Sequence, residues 1–344
     1  MGELVACDGD CQGSDYGVYR TELVCGPQED LFHADEVQMP KKMMLVDGSN
    51  QAFRAFFAIQ SDMRAPDGFP TRALYGFTNM LQRMLKDHEP DYVAVVFDKG
   101  KSFRNDLYPD YKGQRPDMPD DLRAQWPEFI PLCHEWGICA LALEGYEADD
   151  VIGTLARSHA GADCQVLIVS SDKDFCQLVD DDIQLLDVGK GTSMGPDEVS
   201  ERWGVGPEQI IDLLALMGDS SDNIPGVPGV GPKKAAKFLT RFGSVESVLD
   251  SASVIGGKTG QRIEESRDAV HLARRLVTIV TDMKLDIGLS DMQPSTPDWA
   301  ALSERFRRYD FRRLYDRVSQ ELDGEAVGDV SIDRERYRTV STAE

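Results

Sequence analysis

The chain has 344 residues, 41% of them apolar, and a formal net charge of −23 at neutral pH. That is enough for one large domain or two modest ones with ample core, and no apolar run approaches the roughly 18 residues of a membrane span. The acidity speaks at face value against nucleic acid, whose binders are usually basic. It is unevenly spread, however: residues 1–40 hold nine acids and one base, residues 322–344 six acids and three bases, and residues 41–321 the other 45 acids and 33 bases. If nine core acids were metal ligands, the rest of the core would be close to neutral.

Residues 1–40 lack the basic start and apolar centre of a signal peptide. They show no sustained period and are expected to form a disordered acidic leader, with Met39, Met43 or Met44 as alternative starts. Seven cysteines, at 7, 11, 25, 133, 139, 164 and 176, are odd in number and carry no paired zinc spacing. A reduced, cytoplasmic protein is expected, with most thiols serving as small core residues.

The domain proper opens at "MPKKMMLVDGSN", where a short apolar strand over 43–46 ends at Asp47-Gly48. Amphipathic helices are predicted over 51–59 and 73–87, the second with Leu74, Phe77, Leu81 and Leu85 on one face. "DYVAVVFDKG" reads as a buried strand ending at Asp98, and "GADCQVLIVSSDKD" as another ending at Asp172 and Asp174. Strands alternating with helices imply a mostly parallel sheet in an α/β fold. Residues 99–131, rich in charge, aromatics and proline, suggest a functional loop or lid. From 205 the pattern turns helical with Gly/Pro punctuation, predicting a smaller helical subdomain with a C-terminal extension over 205–321, then a polar tail over 322–344.

In parallel α/β sheets ligands bind beyond the carboxyl ends of the strands. Asp47, Asp98 and the pair Asp172/Asp174 stand at three such ends; "EGYEADDVIG" adds Glu147, Asp149 and Asp150 at a helix start, and "LMGDSSDNIPG" adds Asp219 and Asp222. Singly, each acid reads as a turn or cap residue, worth about 0.3–1 kcal/mol at a helix N-terminus. If all nine converge on one rim, they repel one another and raise several pKa values unless cations neutralise them. Hard oxygen donors without a His/Cys set suit Mg²⁺ or Mn²⁺ rather than zinc. Two ions roughly 3.5–4 Å apart would match a phosphoryl-transfer centre.

Seven segments then fall in order over residues 42–290: "LVDGSNQAFRAFFA", "ALYGFTNML", "VVFDKGKSFRNDLYPDYKGQRP", "GYEADDVIGTLA", "SSDKDFCQLV", "MGDSSDNIPGVPGVGPKKAAKFLTRFGSVESVL" and "RRLVTIVTDMKLD". Together they resemble the bacterial and phage 5′-nuclease family, which comprises the 5′→3′ exonuclease domain of DNA polymerase I and stand-alone flap endonucleases. The resemblance implies a PIN-like nuclease domain over 41–204 with a helical arch at about 99–131, and a helix-three-turn-helix (helix-hairpin-helix-like) DNA-binding subdomain. It implies metal binding by all nine acids, with Asp98, Asp149, Asp150, Asp172 and Asp174 nearest the chemistry. It further implies a flap endonuclease and exonuclease using two Mg²⁺ (or Mn²⁺), in primer removal and DNA repair. The expected partner is DNA as 5′-flap, nicked or recessed duplex, or an RNA primer–DNA hybrid; the protein itself is expected to be a cytoplasmic, nucleoid-associated monomer with no membrane contact.

Basic and aromatic residues complete this reading. Arg54, seven residues past Asp47, is expected to face the site mouth from the first helix. Lys112 and Arg115 in "YKGQR" match family residues that contact the scissile phosphate, where a cation offsets transition-state charge. Arg104 reads more simply as a solvated charge. Tyr108 and Tyr111 either stack an unpaired base, worth roughly 1–3 kcal/mol, or pack the arch. In "GVPGVGPKKAAKF", Gly226, Gly229 and Gly231 let the backbone approach a phosphate, the following helix start favours an anion, and Lys233 and Lys234 add charge without base specificity. In the family this hairpin also holds a monovalent cation, K⁺. Three rival readings fit less well. A PIN-type toxin ribonuclease has no use for that hairpin, and a non-catalytic DNA-binding module has no use for the full acid set. An aspartyl-nucleophile phosphatase would want Asp-x-Asp where the chain has Asp47-Gly48-Ser49.

Overall fold

The computed structural model describes residues 39–328; the acidic leader and residues 329–344 lie outside the described residues. Strand β1 (Lys41–Asp47) is followed by helices α1 (Gly48–Ala58) and α2 (Arg72–His88), then β2 (Tyr92–Ser102). Helices α3 (Phe103–Leu107), α4 (Asp120–Gln125) and α5 (Phe129–Glu135) lead to β3 (Cys139–Gly145), α6 (Ala148–His159), β4 (Cys164–Val169), β5 (Ile183–Asp187) and β6 (Thr192–Met194). The sheet order is β3-β2-β1-β4-β5-β6, parallel throughout except for the β5/β6 pair. The chain reverses its direction of travel across the sheet between β1 and β4, which makes the carboxyl ends of these strands the natural crevice.

Alternation along the strands divides the interior. Met43, Leu45, Ala94 and Val96 enter the core on the α6 face, whereas Met44, Val46, Val93, Val95 and Phe97 enter the core on the α1/α2 face. Each of these side chains larger than alanine, fully buried, contributes roughly 1.5–3 kcal/mol, so the central strands are pinned in register. No helix among the described residues is long and apolar enough to cross a membrane. Cys133, Cys139, Cys164 and Cys176 are free thiols, and Cys133 and Cys176 are core residues.

The remaining helices are α7 (Pro196–Trp203), α8 (Ile210–Met217), α9 (Pro232–Phe242), α10 (Val245–Asp250), α11 (Ala252–Ile255), α12 (Gly257–Glu265) and α13 (Arg267–Val277), followed by α14 (Leu289–Met292), α15 (Trp299–Arg308) and α16 (Arg312–Gly328). Residues of α8 to α13 share the α6-side core.

Three expectations need correction here. Leu302, Phe306, Tyr309, Phe311, Leu314 and Val318 belong to the opposite, α1/α2-side core, so the C-terminal extension is part of the nuclease domain and not of the helical subdomain. Helix α16 runs to Gly328, so 322–328 is helix where a tail was expected. The loop expected over 99–131 contains the end of β2, two short helices and the start of α5. Its apolar residues supply the reason: Leu122 and Phe129 are fully buried, and the Gln125 side chain accepts from the Ala73 and Leu74 N–H groups at the start of α2.

Candidate active site

The carboxyl ends of β1 and β2, the turn after β4 and the first turn of α6 bring Asp47, Asp98, Asp172 and Asp149 to the wall of one cavity of about 520 Å³. Three of them have a local anchor. Asp47 caps α1: one carboxylate oxygen accepts from the Asn50 N–H and the other from the Ser170 hydroxyl, both at 2.9 Å. Asp98 accepts from the Ala148 N–H at 2.9 Å, tying the end of β2 to the start of α6. Asp172 caps the 3₁₀ turn Lys173–Leu178 by accepting from the Asp174 N–H at 2.9 Å.

These anchors do not neutralise the charge. Burial, with Asp98 and Asp172 nearby, pushes Asp47 up to about 7. Burial and then Asp172 and Asp47 hold Asp149 well above the usual carboxylate range. Burial and Asp172 push Asp174 up to about 7; its buried Oδ1 accepts no hydrogen bond and has only the Lys173 ammonium beside it, at 3.5 Å. Mutually repelling oxygens, one of them buried without a hydrogen-bond donor, are what a hard divalent cation satisfies, so the donor set fits Mg²⁺ or Mn²⁺. Among the described residues, no three acidic, histidine or cysteine side chains close into one shell around a point. The donors line the cavity from several sides.

The other four expected ligands are already paired with cations. Glu147 accepts from Lys112 Nζ at 2.7 Å and from the Tyr111 hydroxyl at 3.0 Å. Asp219 pairs with Lys173, and Asp222 with Arg115. Burial disfavours the Lys173 ammonium, yet Asp174 and Asp219 outweigh it and hold its pKa above the usual range. Asp150 is a correction. It is fully buried, and both its oxygens are consumed: Arg104 donates to them at 2.7 and 2.8 Å, the Val280 N–H at 2.9 Å and the Glu147 N–H at 3.1 Å. No lone pair of good geometry is left for an ion.

Arg104 is correspondingly not a solvated charge. It is 2% exposed and also donates to the carbonyls of Leu276 at 2.7 Å and Thr278 at 2.9 Å. It thereby locks α3, α6 and the end of α13 together. The signal in sequence was faint: Arg104 sits between Phe103 and Leu107 on a five-residue helix, too short to show a face. Tyr111 takes the second of its two readings: it is 5% exposed and donates to Glu147, so it packs the segment. Tyr108 packs against the α6-side core, which takes the second of its two readings. Arg54 does not line the cavity; it pairs with Asp187 at the end of β5 at 3.3 Å. A Cβ on Gly189 would stand 1.4 Å from Arg54 Nη2, so a side chain there would displace the guanidinium.

The 226–238 hairpin is well formed. Gly226 serves the fold, since a Cβ there would fall 2.3 Å from the Gly218 nitrogen. Gly229 adopts φ +79°, the left-handed region, and Gly231 caps α9 with open space around it. Lys233 is exposed, whereas Lys234 turns back to Thr259 Oγ1 at 3.1 Å and the Gly229 carbonyl at 3.4 Å. Arg262 donates to the Pro228 carbonyl at 3.3 Å.

Comparison with known proteins resolves what this arrangement belongs to. Residues 42–204 match the 5′-3′ exonuclease N-terminal resolvase-like domain, and residues 205–300 match the 5′-3′ exonuclease C-terminal SAM fold. The chain belongs to the 5′-3′ exonuclease family. As a member of that family it is a nuclease. It is 44% identical over 288 residues to DNA polymerase I of Pseudomonas aeruginosa, covering 81% of this chain and 31% of that protein. To DNA polymerase I of Bacillus subtilis it is 39% identical over 307 residues, covering 88% of this chain and 35% of that protein. The chain thus spans about a third of the length of the curated relatives it matches. In fold it is similar to the bacteriophage T5 D15 flap endonuclease solved as a complex with DNA and metal ions, with a TM-score of 0.59, 24% identity, and coverage of 81% of this chain and 98% of that one.

Proposed function

We propose that this exonuclease-family chain hydrolyses DNA phosphodiesters near 5′ single-strand/duplex junctions, as a 5′→3′ exonuclease and flap endonuclease in primer removal and repair. The observation that carries this reading is the cavity itself: four strand-end and helix-start carboxylates face the same space as Lys112 and Arg115. When bound there, two Mg²⁺ or Mn²⁺ ions would supply water activation and neutralise the leaving oxygen. Asp47, Asp98, Asp149, Asp172 and Asp174 are the residues that would hold them, because their oxygens repel one another and one has no donor.

The chain's own cations do the rest. Lys112 and Arg115 place positive charge on the cavity wall, where they bind and orient a phosphate and offset charge developing on it. The hairpin with Gly229, Gly231 and exposed Lys233 grips duplex by its phosphates without reading bases. A K⁺ at the hairpin would have to displace Lys234 and Arg262 from the Gly229 and Pro228 carbonyls. The protein acts as a monomer on flap, nicked or recessed duplex and on RNA primer–DNA hybrids, in the cytoplasm alongside the nucleoid.

A 5′-flap duplex labelled at both ends, incubated with Mg²⁺, Mn²⁺ or EDTA, tests this. Metal-dependent cuts at the junction and short products from a recessed 5′ end are expected. DNA bound but uncut under either metal would overturn the reading.

A further inference from the structure

Among the described residues, only Glu89, Lys112, Asn223 and Asp310 hold a positive φ without being glycine. Two of the four face each other. Lys112, at φ +56°, lies in the segment joining α3 to α4, and Asn223, at φ +55°, in the loop between α8 and the 226–238 hairpin. The left-handed region is accessible to Asn, whose amide bonds locally, and uncommon for Lys. Such an outlier beside a site points to a constraint imposed by its surroundings. Here the constraint is a mutual clasp. The Lys112 N–H donates to the Asp222 carbonyl at 2.9 Å. Asn223 Nδ2 donates back to the Asp110 carbonyl at 2.8 Å, and Asn223 Oδ1 accepts from Gln114 Nε2 at 2.9 Å.

The Asp110 carbonyl also closes a turn, accepting from the Gly113 N–H at 3.0 Å, so the Asn223 amide grips the turn that presents Lys112 and Arg115 to the cavity. On its other side Asn223 is tied to the hairpin. Its neighbour Ile224 exchanges both backbone hydrogen bonds with Asp219, at 2.7 and 2.9 Å, and the Val227 N–H donates to the Leu216 carbonyl at 2.9 Å. Charge separates the bonds across this contact into two kinds. Lys112 to Glu147 and Arg115 to Asp222 are ion pairs, given up when either cation turns to a phosphate. The Asn223 links are neutral amide bonds for which a phosphate does not compete, so they hold the turn while the cations exchange partners.

We propose that Asn223 is a positioning residue for the hydrolysis: it fixes the turn bearing Lys112 and Arg115 to the loop that opens into the duplex-gripping hairpin, so that the two phosphate-orienting cations stand in register with bound duplex. This rests on the function proposed above. Asn223 does not line the cavity and acts only through Lys112 and Arg115. The rate is steep in the placement of the reacting groups, a shift of about 1 Å costing up to about 100-fold. A loosened turn therefore slows cleavage without weakening the grip of the hairpin on duplex.

The test uses Asn223→Gly, which keeps the left-handed turn and removes both amide links, and Gln114→Ala, which removes one of them from the other side. Single-turnover rates at saturating protein with Mg²⁺ are measured on a 5′-flap duplex and on the flap strand alone. Kd for both is read by fluorescence anisotropy with Ca²⁺ in place of Mg²⁺. The wild type should cleave the flap duplex faster than the single strand. Asn223→Gly should lower the flap rate by about 10- to 100-fold and leave the single-strand rate and both Kd values at wild-type levels. Its thermal midpoint should stay within about 4 °C, as befits the loss of two exposed hydrogen bonds. Gln114 is exposed, so Gln114→Ala carries the same test free of a folding defect and should fall between the two. The double variant should match Asn223→Gly alone, because the two residues share one bond. Equal wild-type rates on both substrates, an unchanged flap rate in both single variants, equal loss on both substrates, or a loss that appears as weaker Kd would each overturn the proposal. A wild type that cleaves neither substrate would instead overturn the function proposed above, and this inference with it.

Discussion

Two sets of acids surround the cavity, and the fold treats them differently. Asp47, Asp149 and Asp174 are crowded by other carboxylates and hold raised pKa values. Glu147, Asp150, Asp219 and Asp222 each have a hydrogen-bonded Lys or Arg partner, whereas Asp174 has only Lys173 at 3.5 Å. For Asp219, burial raises the pKa more than any other single effect, but the Lys173 and Ser221 hydrogen bonds and the Lys173 charge together lower it. The first set stores repulsion that a ligand cation relieves; the second spends its charge on holding the lid segment and the helical subdomain to the nuclease domain. These seven carboxylates therefore differ in charge balance by what lies opposite them.

The sharpest way to break that comparison is one substitution in each set. Asp172→Ala should lower single-turnover cleavage by about 10³-fold or more while leaving flap-DNA binding in anisotropy assays near wild type; near-normal turnover would remove Asp172 from the metal-binding group. Arg104→Ala in the second set should cost about 3–5 kcal/mol in urea unfolding, because it strands the buried Asp150 carboxylate. Adding Asp150→Leu to it should recover much of that loss, which would not occur if Asp150 held an ion essential to the fold.

Proton linkage gives a third, smaller test. Asp47 and Asp174, at about 7 in the fold against 3.8 when unfolded, keep protons that the unfolded chain gives up. The metal-free protein should therefore be most stable near pH 4–5 and lose stability as pH rises to about 7, levelling above it. Groups with lowered pKa, such as Asp219, act in the opposite sense, but only below about pH 4. Urea midpoints in EDTA at pH 5 and pH 8 measure this, and Asp47→Asn should flatten the difference. The smallest effect belongs to Tyr111→Phe, which removes one hydrogen bond to Glu147 and should cost about 1–2 kcal/mol. Its Kd for a single-stranded 5′ overhang should stay unchanged; a tenfold rise would return Tyr111 to the role of a base platform.

Much of the nuclease domain was legible because its signals are local. The alternating apolar runs of β1 and β2, and aspartates placed directly after strands, give both the sheet and the rim of the site. Arg104 and Asp150 were not legible as a pair, being 46 residues apart and joined only where α3 packs against α6. Nor did any periodic signal show that Phe306 and Phe311 return to the first domain, since the core they join is built from α1, α2 and α5.

The sequence alone determined the α/β alternation, the strand-end acids and the glycine-punctuated hairpin, because backbone preference and side-chain period act over a few residues. Only the tertiary structure decided which acids stay uncompensated and where Arg54 and Tyr111 point. Those outcomes depend on which distant charge or apolar surface arrives within a few ångströms, and electrostatic energy in a buried site changes steeply over that distance.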